Sequence, residues 1–402
     1  MALLTGPPSG GALAPYRVLD LTGELGAFCG KLLADLGAEV IKIEPPDGDA
    51  ARRLGPYKDG IPHQEGSLRF ASLNVNKKGL SLSLDSQRGR DIFQRLIDSA
   101  DVLIEDRPPG ELAGLGLADD ELRGRNPGLI HTSITGFGLE GPHRQYKAPD
   151  LVGLAMGGIL NLSGDPGLPP CAAPETQSYY VACLHAAFAT VAALLARGMG
   201  APGQLVEISA QDCLMVQEHQ VSRYGQDGHI VGREGNQHGS AAPGAVFPVQ
   251  DGFAHIFVAN TWPEFLDWMG NPEPLTDDAW EQGSFRRANV DLLNPFVREF
   301  ARGFTRDRIA DAGQARRTPV VPVNRPEDVA EDEHMKAIGF FYQGEHAHLG
   351  PARYAGAPYQ MGATPPRLER TAPLLGEHNV DILTGLGISP DELAVLRANR
   401  VI

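Results

Sequence analysis

Apolar positions along this chain alternate between two periods, and the switching between them predicts strands and helices in turn. Within residues 17–44, Val18, Leu19 and Leu21 form a short apolar run stopped by Thr22–Gly23. Leu32, Leu33 and Leu36 then recur at helical spacing with Gly37 at the C-cap position, and Val40, Ile41 and Ile43 form a second buried run ending on Glu44. So compact a strand–turn–helix–strand unit predicts a right-handed crossover in a parallel sheet, with a ligand at the strand ends. The pattern continues with a strand over 79–85, a helix over 86–99 carrying Ile92, Phe93, Leu96 and Ile97 on one face, a strand over 101–106, and a strand running into a glycine-rich loop over 128–138. Residues 181–197 are apolar nearly all round and predict a central, buried helix. Another strand is expected over 204–210, with Gln211–Asp212 opening the helix after it.

The texture changes near residue 225. A Gly-rich polar connection (225–243) leads into a hairpin pattern (247–260) and two helical segments (261–270 and 295–304). These shifts predict a large α/β domain over 1–224, a smaller domain over 225–330, and a C-terminal segment, 331–402, returning to the first. There is no internal repeat.

Composition narrows the function classes. A chain of 402 residues exceeds what one core usually organises, which agrees with two domains. A formal net charge of −15 disfavours nucleic acid or an anionic membrane surface as partner. No apolar run approaches the roughly 20 residues that span a bilayer, and the first residues lack a basic stretch before an apolar one, so a cytoplasmic protein is expected. Cys29, Cys171, Cys183 and Cys213 are widely spaced and read as buried, reduced thiols. His346 and His348 form the one close histidine pair; with no cysteine or further histidine nearby they read as a surface loop, and no metal is expected.

For the ligand at the first turn, a dinucleotide is the first candidate, because Glu44 lies about 20 residues beyond the turn, where an acid would hold a ribose hydroxyl. Gly23, Gly26 and Gly30 do not give the G-x-G-x-x-G spacing, however, and Glu24 would set a negative charge against a pyrophosphate. Glycines that only permit a tight turn and close helix packing fit equally well.

Several separated segments carry a resemblance: VLDLTGELGAFCGKLLADLGAEVIKIEPPDGD (18–49), LNVNKKGLSLSLD (73–85), ADVLIEDRPPGELAGLGL (100–117), NPGLIHTSITGFGLEGP (126–142), GAPGQLVEISAQD (200–212), TPVVPVNRPEDV (318–329) and APLLGEHN (372–379). Together, and in this order, they resemble the class III CoA-transferases, with the α-methylacyl-CoA racemases as more distant relatives. The resemblance implies a large Rossmann-like CoA-binding domain and a smaller α+β domain. It further implies an open-ring subunit in an interlocked homodimer or heterodimer.

It also implies site residues. Lys42, Asn76, Lys77 and Lys78 form the densest basic and polar group of the first half, able to hold phosphates as point charges and donors or to stand as a solvated turn. The family places CoA contacts in the N-x-N-K segment that begins at Asn74, and Lys147 and Asp150 match a lysine near CoA and an acid near the active centre. After Asp106 the chain reads DRPPG where E-N-F-x-P-G is usual, so Arg107 either stacks on adenine in place of an aromatic or is a surface arginine.

The nucleophile is where the pattern breaks. The family aspartate attacks the donor thioester and forms an anhydride. Counting back without gaps from Ala193, Leu194 and Leu195 places that position on Tyr179, and a free phenol, with a pKa of about 10, is a poor nucleophile at neutral pH. Glu175 is the nearest acid: a register shift would make it the nucleophile, whereas Pro174 at N1 with Glu175 in the first turn is ordinary helix-start chemistry. The racemase acid/base positions fall on Pro149, Tyr179 and Trp262, which cannot run that scheme. In some family members two homologous subunits form a heteromer and only one supplies the aspartate. Two expectations result: the subunit without the nucleophile, moving CoA between a succinyl-CoA type donor and a carboxylic acid, or an acyl-CoA isomerase, dehydratase or lyase using Asp150, Tyr179 or Glu175. A non-catalytic CoA-binding protein is the third.

Overall fold

A computed structural model describes residues 10–217 and 219–402. The described residues form two compact units: one comprises those within 10–159, 173–228 and 337–402, the other 160–172 and 229–336.

The first unit is built on a six-stranded parallel sheet, β1 (Arg17–Asp20), β2 (Glu39–Glu44), β3 (Lys78–Ser81), β4 (Val102–Glu105), β5 (Ile130–Thr135) and β6 (Leu205–Ser209), in the order β3-β2-β1-β4-β5-β6. Alternate side chains feed opposite faces. Leu19, Ile41, Leu80 and Leu103 join a core with the helix Gln87–Ile97 and the C-terminal helices Asn379–Gly385 and Pro390–Ala398. Val18, Val40, Val102, Ile104 and Ile130 join the other core, with α1 (Ala27–Asp35) and α2 (Gln177–Gly198). Gly37 follows α1 at φ +95°, the left-handed region a glycine adopts without strain. The order runs outward in both directions from β1, so the sheet reverses between β1 and β4, and the crevice at such a reversal is where open α/β sheets bind ligands.

Helix α2 departs from the sequence expectation. It packs on α1, β5 and β6, yet Leu184, Phe188, Leu195 and Met199 stand exposed on its outer face, so it is a half-covered helix and not a fully buried one. Among the described residues it alone is long and apolar enough to cross a membrane by length and composition, which the expectation of no such run had missed. Its start also differs: the first helical residue is Gln177, and Pro174 and Glu175 lie outside, with Glu175 at φ +61°. A distant residue explains the late start. Asp150 Oδ1 accepts from Ser178 N at 2.8 Å and from its hydroxyl at 2.6 Å, capping the helix from another segment.

The second unit holds the expected hairpin, β7 (Gly244–Val249) and β8 (Gly252–Phe257), extended by β9 (Val320–Pro322) into an antiparallel sheet. Phe247, Ile256, Phe265, Val297 and Ile309 form its core. Residues 160–172, which the sequence pattern leaves in the first domain, pack here: Arg233 Nη1 donates to Asn161 O at 3.2 Å and Gly235 N to Gly164 O at 3.1 Å. All four cysteines are free, and Cys171 is exposed where a buried thiol was expected. His346 ends a hairpin strand and is buried, while His348 in the turn stacks on His63.

Candidate active site

Two groups of charged residues flank the end of β1, and the structure uses them differently. The first lies on β1 and β2 and in the segments beside them. Lys77 is fully buried and its ammonium donates to Asp20 Oδ2 (2.7 Å), Ala27 O (2.9 Å) and Asn74 Oδ1 (2.9 Å). Burial holds the Lys77 ammonium below its ordinary range despite Asp20. Lys42, in the middle of β2, pairs with Asp49 at 2.9 Å and also donates to Thr22 O. Burial opposes its charge, yet Asp49, Asp20 and Glu44 outweigh this and hold its pKa above the usual lysine value. Glu44, the acid considered for a ribose, forms a buried bidentate pair with Arg52 at 2.6 and 2.8 Å. Asn76 spans Asp35 and the backbone of residues 367–370, and Lys78 pairs with Glu39. None of Lys42, Asn74, Asn76, Lys77 and Lys78 lines the cleft described next.

That cleft has a volume of about 530 Å³ and lies at the sheet's reversal point. It brings together Asp106, Arg107, Lys147 and Tyr179, residues separated by up to 73 positions, with Leu25 and Arg144 beside them. Asp106 bridges the reversal: its carboxylate accepts from Gly23 N at 2.7 Å and Gly26 N at 2.8 Å, tying the loop after β4 to the turn after β1. Burial pushes the Asp106 carboxyl up to about 6, against these two bonds and the attraction of Lys42. Arg107 is half-committed, paired with Glu111 at the cleft rim. Arg144 and Lys147 are exposed and make no ion pair among the described residues. This is a positively charged rim able to take phosphates.

Tyr179 sits in the first turn of α2, its hydroxyl donating to Ala148 O at 3.1 Å. Burial, with Glu24, Asp150 and Asp106 around it, pushes the phenol up to about 12. Asp150 stands beside this turn, but its Oδ1 is already engaged by Ser178. Glu175 is exposed and does not line the cleft. Sequence reasoning missed Arg69, which pairs with Glu24 at 2.8 Å and donates to Thr176 Oγ1 at 2.6 Å just before α2. A lone arginine in a polar stretch carries no signal of that contact. Arg144 was legible in principle, because H-R-Q-Y-K places two cations three residues apart in a loop after a strand.

A hydrogen-bond donor of high pKa and two cations without ion-pair partners among the described residues, in one cleft, suit the binding of an anionic ligand. Comparisons with known proteins give the class of chemistry. The chain is 34% identical over 394 residues to the succinyl-CoA:(R)-benzylsuccinate CoA-transferase subunit BbsE of Thauera aromatica, covering 94% of this chain and 95% of that protein. It is 33% identical over 397 residues to succinyl-CoA–D-citramalate CoA-transferase of Chloroflexus aurantiacus, covering 97% and 98%. The crystal structure of a CAIB/BAIF family protein from Brucella suis superposes with a TM-score of 0.86 at 29% identity, covering 94% of this chain and all of that one. The description of CoA-transferase family III matches residues 13–379, and the chain belongs to that family of CoA-dependent enzymes.

Proposed function

We propose that this chain is the subunit of a heteromeric class III CoA-transferase that binds acyl-CoA but does not supply the nucleophile, in a complex that moves CoA from a succinyl-CoA type donor to a carboxylic acid. The observation that carries this reading is Tyr179. It stands on the cleft wall at the position that a gapless count assigns to the family's aspartate, with its phenol pushed up to about 12. Such a group holds its proton at neutral pH and cannot form the anhydride on which transfer depends. It can donate a hydrogen bond to a thioester carbonyl once Ala148 O is released. Glu175, the other acid in reach by sequence, points away from this role: it is exposed and outside the cleft.

Arg107, Arg144 and Lys147 supply the phosphate contacts in this reading, while Lys42, Lys77 and Lys78 hold the surrounding walls. That BbsE is a subunit by its own description supports the heteromer. The exposed apolar stripe of α2, Leu184, Phe188, Leu195 and Met199, supports burial against a second chain in an interlocked assembly. Four free cysteines support a reducing, cytoplasmic setting.

Expressed alone, the protein should bind acyl-CoA yet show no CoA exchange between succinyl-CoA and an acid; co-expression with a paralogue carrying aspartate at this position should restore exchange. Strong exchange by the isolated chain, abolished by Glu175→Gln, would overturn the reading. Tyr179→Asp restores the missing carboxylate, and a folded variant that binds CoA should then accumulate an adduct on residue 179, visible by mass spectrometry.

A further inference from the structure

The second unit contains a cavity of about 430 Å³ whose lining lies entirely within that unit and shares no residue with the cleft; Ser240, Asn260, Trp262, Gly283, Arg286 and Arg287 are among the lining residues. Arg286 is 2% exposed and stacks on Trp262 at 4.8 Å. It has no carboxylate partner among the described residues. Its Nε donates to Ala242 O (2.7 Å), Nη1 to Trp280 O (2.6 Å) and Glu281 O (2.9 Å), and Nη2 to Ala259 O (3.1 Å). Four of its five N–H groups are thereby used, and the fifth remains on Nη2.

That free donor faces a particular place. A Cβ built on Gly283 would lie 3.6 Å from Arg286 Nη2 and 3.5 Å from Arg287 Nη1, so both guanidinium groups border the same space above this glycine. Arg287 makes no ion pair among the described residues, and Glu281, which also lines the cavity, pairs with neither arginine. A buried cation solvated only by carbonyl dipoles, with a second cation beside it, lacks the counter-charge that buried charges ordinarily have. Four carbonyls explain why Arg286 is there, but they leave the converging charge of Arg287 and the open volume unexplained.

We propose that this cavity binds a small oxyanion of two negative charges, a phosphate or a dicarboxylate, held between Arg286 Nη2 and the Arg287 guanidinium with Ser240 and Asn260 as neutral donors. Guanidinium groups suit both oxyanion types because their paired N–H groups match two oxygens at once.

Calorimetry on the full chain, with inorganic phosphate and succinate as separate probes and chloride at equal ionic strength as the control, tests this. Saturable binding of either probe is expected, with phosphate alone marking a phosphate-ester site and succinate alone a dicarboxylate site. Arg287→Gln should weaken it about tenfold or more and Arg287→Lys less, while Arg302→Gln, an exposed arginine of the same unit outside the cavity lining, should leave it unchanged. Arg287 is exposed, so its variants should fold; Arg286 is left intact because four carbonyls depend on it. Absence of saturable binding by both probes, equal binding of chloride, or affinity unchanged in Arg287→Gln would overturn the proposal.

Discussion

Two charged regions lie on either side of the β1 turn, built from the same residue types and opposite in use. On and beside β1 and β2, Lys42, Lys77 and Arg52 meet Asp49, Asp20 and Glu44 at 2.6–2.9 Å, and all but Asp49 are fully buried. In the cleft, Arg144 and Lys147 stand exposed without an ion-pair partner among the described residues. Burial separates the two. A cation taken out of water needs a compensating anion or a shell of acceptors from the same chain, whereas an exposed cation can remain unpaired until a ligand arrives. Density of lysine along the sequence is therefore a poor guide to a phosphate site, and lack of an internal partner is a better one.

The largest effect that could break this contrast is on the buried side. Lys77→Met would leave Asp20 charged and unpaired, with only Thr22 N and Oγ1 still donating to it. A loss of about 3–5 kcal/mol in unfolding free energy is expected from urea denaturation, and the double variant Asp20→Asn/Lys77→Met should recover much of it. A near-neutral Lys77→Met with lost CoA affinity would instead move Lys77 to the ligand side.

The fold was legible because alternation and helical spacing are local signals. Val18 and Leu19, or Val40 and Ile41, alternate as a two-sided strand must, and the structure sends each pair to opposite cores. The fate of Lys42 was not legible: the sequence offers it as a phosphate contact or part of a solvated turn, but it lies between Ile41 and Ile43 in a strand with neighbours on both sides and is buried. The partner of Lys77 was not legible either. Asp20 lies 57 residues from Lys77, and only the parallel register brings Asp20 opposite Lys42. Gly30 shows the same limit. A Cβ there would come within 2.3 Å of Asp20 Oδ2 and 2.9 Å of Lys77 Nζ, so this glycine makes room for an ion pair that no local pattern reveals. The start of α2 was misplaced for a related reason, since Asp150 caps it from 28 residues away and overrides the local signal of Pro174 and Glu175.

On the cleft side a middling effect is expected, in affinity and not in stability. Lys147→Ala should change unfolding free energy by less than about 0.5 kcal/mol, because nothing in the described chain pairs with it. Its affinity for free CoA by calorimetry should fall by about 1–3 kcal/mol, the worth of one charge-assisted contact to phosphate. Arg144→Ala should behave alike. Unchanged affinity in both would remove this rim from the CoA site.

The smallest effect sharpens the contrast at Asp106, which belongs to both regions: it is tied to backbone N–H groups like a structural acid, yet it lines the cleft. With its carboxyl pushed up to about 6, it is mostly protonated at pH 5 and mostly ionised at pH 7. A negative charge at this place opposes an anionic ligand, so affinity for CoA should decline as pH rises through about 6 and then level off. The ligand's own phosphate titrates in the same range, so the comparison must be made against Asp106→Asn, in which the ligand term is the same and the protein term is absent. The variant keeps one acceptor for the two glycine N–H groups, and its folding is checked by the same denaturation curve. The ratio of wild-type to variant affinity should fall severalfold between pH 5 and pH 7. A ratio that stays flat would show that Asp106 does not change charge in this range, and would return it to the structural side of the β1 turn.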